Sequence, residues 1–129
     1  MKVLITGASG LIGKKIYLNL IAQGHEVTAL SKNIYKEDNF VSIDLLNLND
    51  LKKYFNGKEF DILIHCAAVI EPGKLIGESI VSTQNSLITK NLFQASLSLK
   101  KSPSWIFLSS VSVYGNIDHE EYIEINDTP

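Results

Sequence analysis

An apolar run, Lys2-Val3-Leu4-Ile5, leads straight into Thr6-Gly7-Ala8-Ser9-Gly10-Leu11-Ile12-Gly13. Glycine is the poorest ordinary helix former and loses the most backbone freedom on folding, so three of them spaced three apart need a compensating reason. Two reasons stay open on these residues alone: the turn is only tight, or a ligand approaches its backbone. A glycine-rich turn between a strand and a helix presents backbone N–H groups and the positive end of the helix dipole to an anion. On that reading Gly7 makes the turn, Gly10 admits a pyrophosphate, and Gly13 lets the helix lie close against the strand.

Apolar periodicity divides the rest of the chain into alternating strands and helices. Lys2 to Thr6 suits a strand covered on both faces. Ile12, Ile16 and Leu20 recur at helical spacing, with Tyr17 and Ile21 beside them and Gly24 closing the helix. Further strands are expected over 27–30, 40–43, 61–65 and 105–108. A short helix through Leu48, Leu51 and Phe55 takes Asn47 or Asn49 as its cap, and one long helix runs from about residue 80 to residue 99, before Ser102-Pro103. Such alternation implies an α/β fold with a doubly wound parallel sheet of strand order 3-2-1-4-5, because parallel strands need right-handed crossovers. Ligands of such sheets bind outside the carboxyl ends of the strands, at the switch point between strands one and four.

The 129 residues are the length of one domain, with 45% hydrophobic residues, 20% charged and a formal net charge of −2. A surplus of positive charge, which nucleic acid or an anionic membrane would require, is missing. Cys66 is the lone cysteine, in an apolar stretch, and offers neither an internal disulfide nor a metal cluster. No window reaches the about 20 consecutive apolar residues of a membrane span, and the start of the chain lacks the layout of a signal peptide. The expectation is a cytoplasmic protein without nucleic-acid, membrane or metal partners.

Taken together, five segments resemble the extended short-chain dehydrogenase/reductase family, which contains nucleotide-sugar epimerases, dehydratases and reductases. They are TGASGLIG at 6–13, Asp44-Leu45, His65-Cys66-Ala67-Ala68, Asn85-Ser86-Leu87-Ile88-Thr89-Lys90-Asn91-Leu92 and Ser109-Ser110-Val111-Ser112-Val113-Tyr114-Gly115. One departure is Ile88, which stands where the family's helix usually has glycine. The resemblance spans nearly the whole chain and implies a Rossmann-like NAD(P)-binding domain over 1–129, the N-terminal part of a longer family fold. It implies cofactor contacts at Gly7, Ser9, Gly10, Leu11, Ile12, Gly13, Cys66, Ala67, Ala68, Asn85 and Ser109, with Asp44-Leu45 at the adenine. Each segment also has a plainer reading. Asp44 could cap a turn, Asn85 could be solvated, His65 could be structural, and Ser109 and Ser110 could simply end a strand.

Cofactor choice in this fold is decided at the end of strand two, where NAD-users place an acidic residue on the adenine ribose. Here Ser31-Lys32 takes that place, so NADP(H) is favoured over NAD(H), although Lys32 could equally be a solvated surface lysine and Glu37 and Asp38 lie nearby. Lys14 is a further phosphate contact or a solvent-exposed lysine. By resemblance, Ser110 would hydrogen-bond the reacting oxygen of a small-molecule substrate, while a Tyr-x-x-x-Lys pair exchanges the proton. Tyr114 is followed four residues on by Asp118 and Tyr122 by Asn126, so the pair is not found after Ser110. The expectation is therefore a chain that stops before the catalytic pair, leaving strand five with an exposed apolar face. The alternative is a non-catalytic NADP(H)-binding sensor or interaction module. A homodimer through the long helix is also expected.

Overall fold

In a computed structural model describing residues 1–69 and 78–109, the first apolar run becomes β1 (Lys2–Thr6), the central strand of a parallel sheet. On one side lie β2 (Glu26–Ser31) and β3 (Phe40–Ser42), on the other β4 (Ile62–His65) and β5 (Ser104–Phe107), giving the expected order β3-β2-β1-β4-β5. Helices α1 (Leu11–Ala22), α2 (Leu48–Phe55) and α3 (Glu78–Ser96) make the crossovers. Because successive side chains of a strand point to opposite faces, β1 feeds two cores. Leu4 enters one with Leu30, Leu51, Phe55, Leu63 and Leu92, under α2 and α3. Val3 and Ile5 enter the other with Tyr17, Val27, Ala29 and Ile64, under α1.

Local chemistry explains where the elements stop. Gly24, at φ +76°, follows α1 and donates its N–H to the Ile21 carbonyl, a left-handed conformation that suits glycine. Of the two candidate caps of α2, Asn47 is the one used: its side chain accepts the Asp50 N–H at 3.2 Å and its amide donates to the Asp50 carboxylate. The long helix ends at Ser96, short of the expected residue 99. The Ser96 hydroxyl bonds back to the Phe93 carbonyl at 2.7 Å, and the Lys100 N–H turns away to the Lys58 carbonyl, while Leu99 still packs on the core from outside the helix. β2 begins one residue earlier than periodicity suggests, at Glu26, since it pairs with Lys2 of β1.

The two faces are covered unequally. α1 lies over β1 and β2, and nothing among the described residues closes the same face at β5, where Ile106 is 47% and Phe107 54% exposed. This is the exposed apolar strand anticipated from residues 105–108. The α2/α3 face is dense, with Phe55 fully buried between the Tyr54 and Phe60 rings. Replacing Phe55 with Ala leaves a cavity there and should destabilise the fold by about 3–5 kcal/mol, measurable as a lower denaturant midpoint with little change in slope.

Candidate functional site

The carboxyl ends of β1 and β4 lie side by side, with Thr6 paired to His65, and the glycine turn rises directly above them. Its three glycines meet different surroundings. Gly7 sits at φ +72°, and a Cβ there would stand 2.7 Å from the Ala67 nitrogen and the Cys66 carbonyl carbon. Gly13 is buried on α1, where a Cβ would overlap the Gly7 carbonyl oxygen. The second and third constraints are internal: backbone meets backbone. Gly10 is exposed, and a Cβ there would meet only the Gly7 carbonyl oxygen, at 3.3 Å. Gly10 also precedes the first turn of α1, which has no side-chain cap and no acidic residue, so its backbone donors and dipole face outward. Leu11 and Ile12 beside it are 83% and 57% exposed.

Below the turn a chain of hydrogen bonds crosses the protein interior. The Ala67 N–H donates to the Thr6 hydroxyl at 3.2 Å, and that hydroxyl lies 2.7 Å from His65 Nδ1. On the far side His65 Nε2 is 3.1 Å from the Thr89 hydroxyl, which donates its own proton to the Asn85 carbonyl at 2.9 Å. With the Thr89 proton committed, Nε2 must be the protonated nitrogen and Nδ1 the acceptor from Thr6. Only neutral imidazole satisfies every member. Burial holds the His65 pKa below its ordinary value, in agreement with that tautomer. His65 is thus structural, the plainer of its two sequence readings.

Helix α3 fastens the neighbouring segments by two more side chains. The Asn85 amide brackets one peptide, accepting the Val69 N–H at 2.7 Å and donating to the Val69 carbonyl at 3.2 Å. Both ends of the amide expected at the cofactor are therefore engaged with the segment after β4. Asn91, buried, donates to the carbonyls of Leu45 and Leu46, each at 3.1 Å. Asp44 uses Oδ1 to accept the Leu46 N–H at 2.9 Å, so the turn-capping reading holds for that oxygen. Leu45 packs against the core. Cys66 and Ala67 are half-buried beneath Gly7 and Ala68 is exposed; burial pushes the Cys66 thiol pKa up and keeps it protonated.

At the end of β2 the Ser31 hydroxyl accepts the Asn33 N–H at 3.1 Å, and Lys32 is exposed. Lys14 is also exposed, and Ser9 lies exposed in the glycine turn. Ser109 is exposed just past β5. Ser110, Tyr114, Tyr122 and the segment 124–129 lie outside the described residues. Among the described residues, no group of three His, Cys, Asp or Glu side chains could hold a metal, and no helix is long and apolar enough to cross a membrane. Thr6, Thr89 and Asn91 carry much of this arrangement, yet no sequence periodicity marks them, because each works through one hydroxyl or amide aimed at a distant segment.

The family model described as NAD dependent epimerase/dehydratase family matches residues 3–129. The chain belongs to that family. As a member of the epimerase/dehydratase family it is 30% identical, over 129 residues, to the UDP-glucose 4-epimerase of Yersinia enterocolitica, covering 89% of this chain and 38% of that one. Its fold superposes on the UDP-N-acetylglucosamine 4-epimerase of Bacillus cereus with a TM-score of 0.80 at 23% identity, covering all of this chain and 43% of the other. A UDP-glucose-4-epimerase from Stenotrophomonas, solved with NAD and formylated UDP-arabinopyranose, gives 0.72 at 25% identity, covering 100% and 43% of the two chains. Solved neighbours carry either NAD or NADPH. The chain spans about two fifths of the length of the first curated relatives it matches.

The histidine relay makes a prediction about pH. His65 has a folded-state pKa below its ordinary 6.5, so its contribution to stability is complete above pH 6.5 and is lost as the pH falls below that value, when the unfolded chain takes up a proton that the folded chain refuses. Urea midpoints measured from about pH 7.5 down to about pH 5 should fall in the wild type, and the fall should be shallower in a His65→Asn variant that is already less stable at neutral pH.

Proposed function

We propose that residues 1–129 form an NAD(P)-binding domain of an oxidoreductase, epimerase or dehydratase that acts on a hydroxyl or keto group of a nucleotide-sugar. The observation that carries this reading is the difference among the three glycines. Gly7 and Gly13 are required by the backbone packed against them, whereas Gly10 has open space before it and uncapped helix N–H groups beside it. A diphosphate is the ligand chemistry that such a cradle suits. The cofactor supplies hydride transfer to and from carbon, and the chain supplies its position.

In this reading the backbone from Gly7 through Gly13, including Ser9, Leu11 and Ile12, holds the pyrophosphate. Cys66, Ala67 and Ala68 line the opposite wall, which the Thr6–His65 pair and the Asn85 bracket keep in place. Asn85 is then a positioning residue. Asp44 has its second oxygen for the adenine amino group, with Leu45 beneath. Ser109 borders the nicotinamide end, and Ser110, by its place in the family segment, hydrogen-bonds the reacting oxygen. NADP(H) is favoured because Ser31 and Lys32 present no carboxylate to a 2′-phosphate, and the Ser31 hydroxyl, already accepting from Asn33, has its proton left to donate. NAD(H) is the alternative, and a cytoplasmic setting fits either. A homodimer through α3 is supported by the exposure of Leu87, Phe93 and Leu97 on that helix.

Calorimetric titration of the folded chain with NADPH and with NADH tests the cofactor reading. Binding should be measurable and tighter for NADPH. Gly10→Leu should abolish it while leaving the circular dichroism and melting temperature near wild type, whereas Gly13→Leu should lose the fold as well. Undiminished affinity in folded Gly10→Leu would overturn the reading.

A further inference from the structure

Between β2 and β3 the chain runs through Ser31-Lys32-Asn33-Ile34-Tyr35-Lys36-Glu37, a polar stretch in which one residue departs from its surroundings. Ile34 is 88% exposed, and Lys36 and Glu37 are exposed, but Tyr35 is half-buried. Its ring lies against Phe40 with centroids 4.6 Å apart, and Phe40 in turn meets the buried Tyr17 edge-on at 5.1 Å. This aromatic stack fixes where the phenol can reach. The Tyr35 hydroxyl comes within hydrogen-bonding reach of the Ser9 hydroxyl, in the glycine turn, and of the Asn33 and Ser31 side chains at the end of β2.

Tyr35 therefore bridges two elements that flank the switch point from separate parts of the chain. Three hydroxyls and one amide converge there, all neutral, at the place where this fold receives the adenosine ribose. Hydrogen bonding, led by Ser9, holds the phenol below its ordinary range against the opposing effects of burial and the Glu37 charge, and a more acidic phenol is a better donor.

We propose that the Tyr35 hydroxyl is a specificity-determining group of the dinucleotide site, donating with Ser9 and Ser31 to a 2′-phosphate on the adenosine ribose. The inference rests on the cofactor reading above and adds to it a residue outside the glycine turn and outside the Ser31-Lys32 pair. Its ligand class is a ribose carrying a 2′-phosphate. A 2′-hydroxyl can exchange hydrogen bonds with the same groups, but it gains less, because bonds to a charged acceptor are the stronger ones.

The test compares wild type with Tyr35→Phe, which keeps the ring on Phe40 and removes only the hydroxyl, by titration with NADPH and NADH. The expected result is a loss of about tenfold or more in NADPH affinity with less than about twofold for NADH. Ser9→Ala should shift the two affinities in the same direction by less, and it serves if Tyr35→Phe does not fold. Equal losses for both dinucleotides, or none, would overturn the inference and leave the cofactor reading standing, as would a wild-type chain that prefers NADH. A folded wild-type chain that binds neither dinucleotide would overturn both.

Discussion

Contact of backbone with backbone at the head of the sheet is the constraint on which the rest of the site depends. Gly7 presses on the Cys66–Ala67 peptide and Gly13 on the Gly7 carbonyl, at separations that leave no space for a Cβ. α1 is thereby seated on the turn itself, closer than helix and strand could approach through side chains. The segment leaving β4 is drawn under the same turn. One consequence is a helix N-terminus whose position relative to β1 and β4 is set by main-chain atoms, with little freedom to drift. Another is that the middle glycine, free of these contacts, stands at the surface with nothing behind its own small size except what lies outside the protein.

A second layer of order is polar and comes from α3. Helix residues Asn85, Thr89 and Asn91 reach respectively the peptide of Val69, the ring of His65 and the carbonyls of Leu45 and Leu46. In a low-dielectric interior such bonds are directional and costly to leave unmade, and among the described residues no buried side-chain polar atom lacks a partner. Each of these segments would otherwise be irregular chain over a sheet edge. α3 thus does for the loops at the carboxyl ends what the apolar cores do for the strands. The helix is amphipathic in an unusual sense, since part of its inward face is amide and hydroxyl while Leu92 and Ala95 serve the core.

Apolar surface gathers where the described structure is least covered. Leu11 and Ile12 open α1 into solvent, and Ile106 and Phe107 leave one strand of the sheet only partly shielded. Surface of this kind on a nucleotide-binding fold is suited to contact with flat, weakly polar ligand rings or with further protein. It is consistent with the family relation, in which the matched relatives are more than twice as long as the span they share with this chain.

Much of this architecture was legible in the linear order of residues. Strand order, the parallel sheet, the glycine turn at its head and the family followed from periodicity and from five spaced segments, because burial imposes its period on every strand and helix it covers. Less legible were the ends of elements: the choice of Asn47 over Asn49 and the early stop of α3 at Ser96 each turn on a single hydrogen bond that composition cannot rank. Least legible were the long-range polar links. Nothing in the local sequence says that Tyr35 bends back towards Ser9 and Ser31, that Asn85 grips Val69, or that His65 is held neutral between two threonines 83 positions apart in the chain. The sequence by itself determined which segments are strands and helices and that a glycine turn heads the sheet, since those depend on side-chain pattern and backbone freedom. Only the tertiary structure decided which glycine is open, which nitrogen of His65 carries the proton and which hydroxyls meet, because those depend on distances between segments that the chain brings together only on folding.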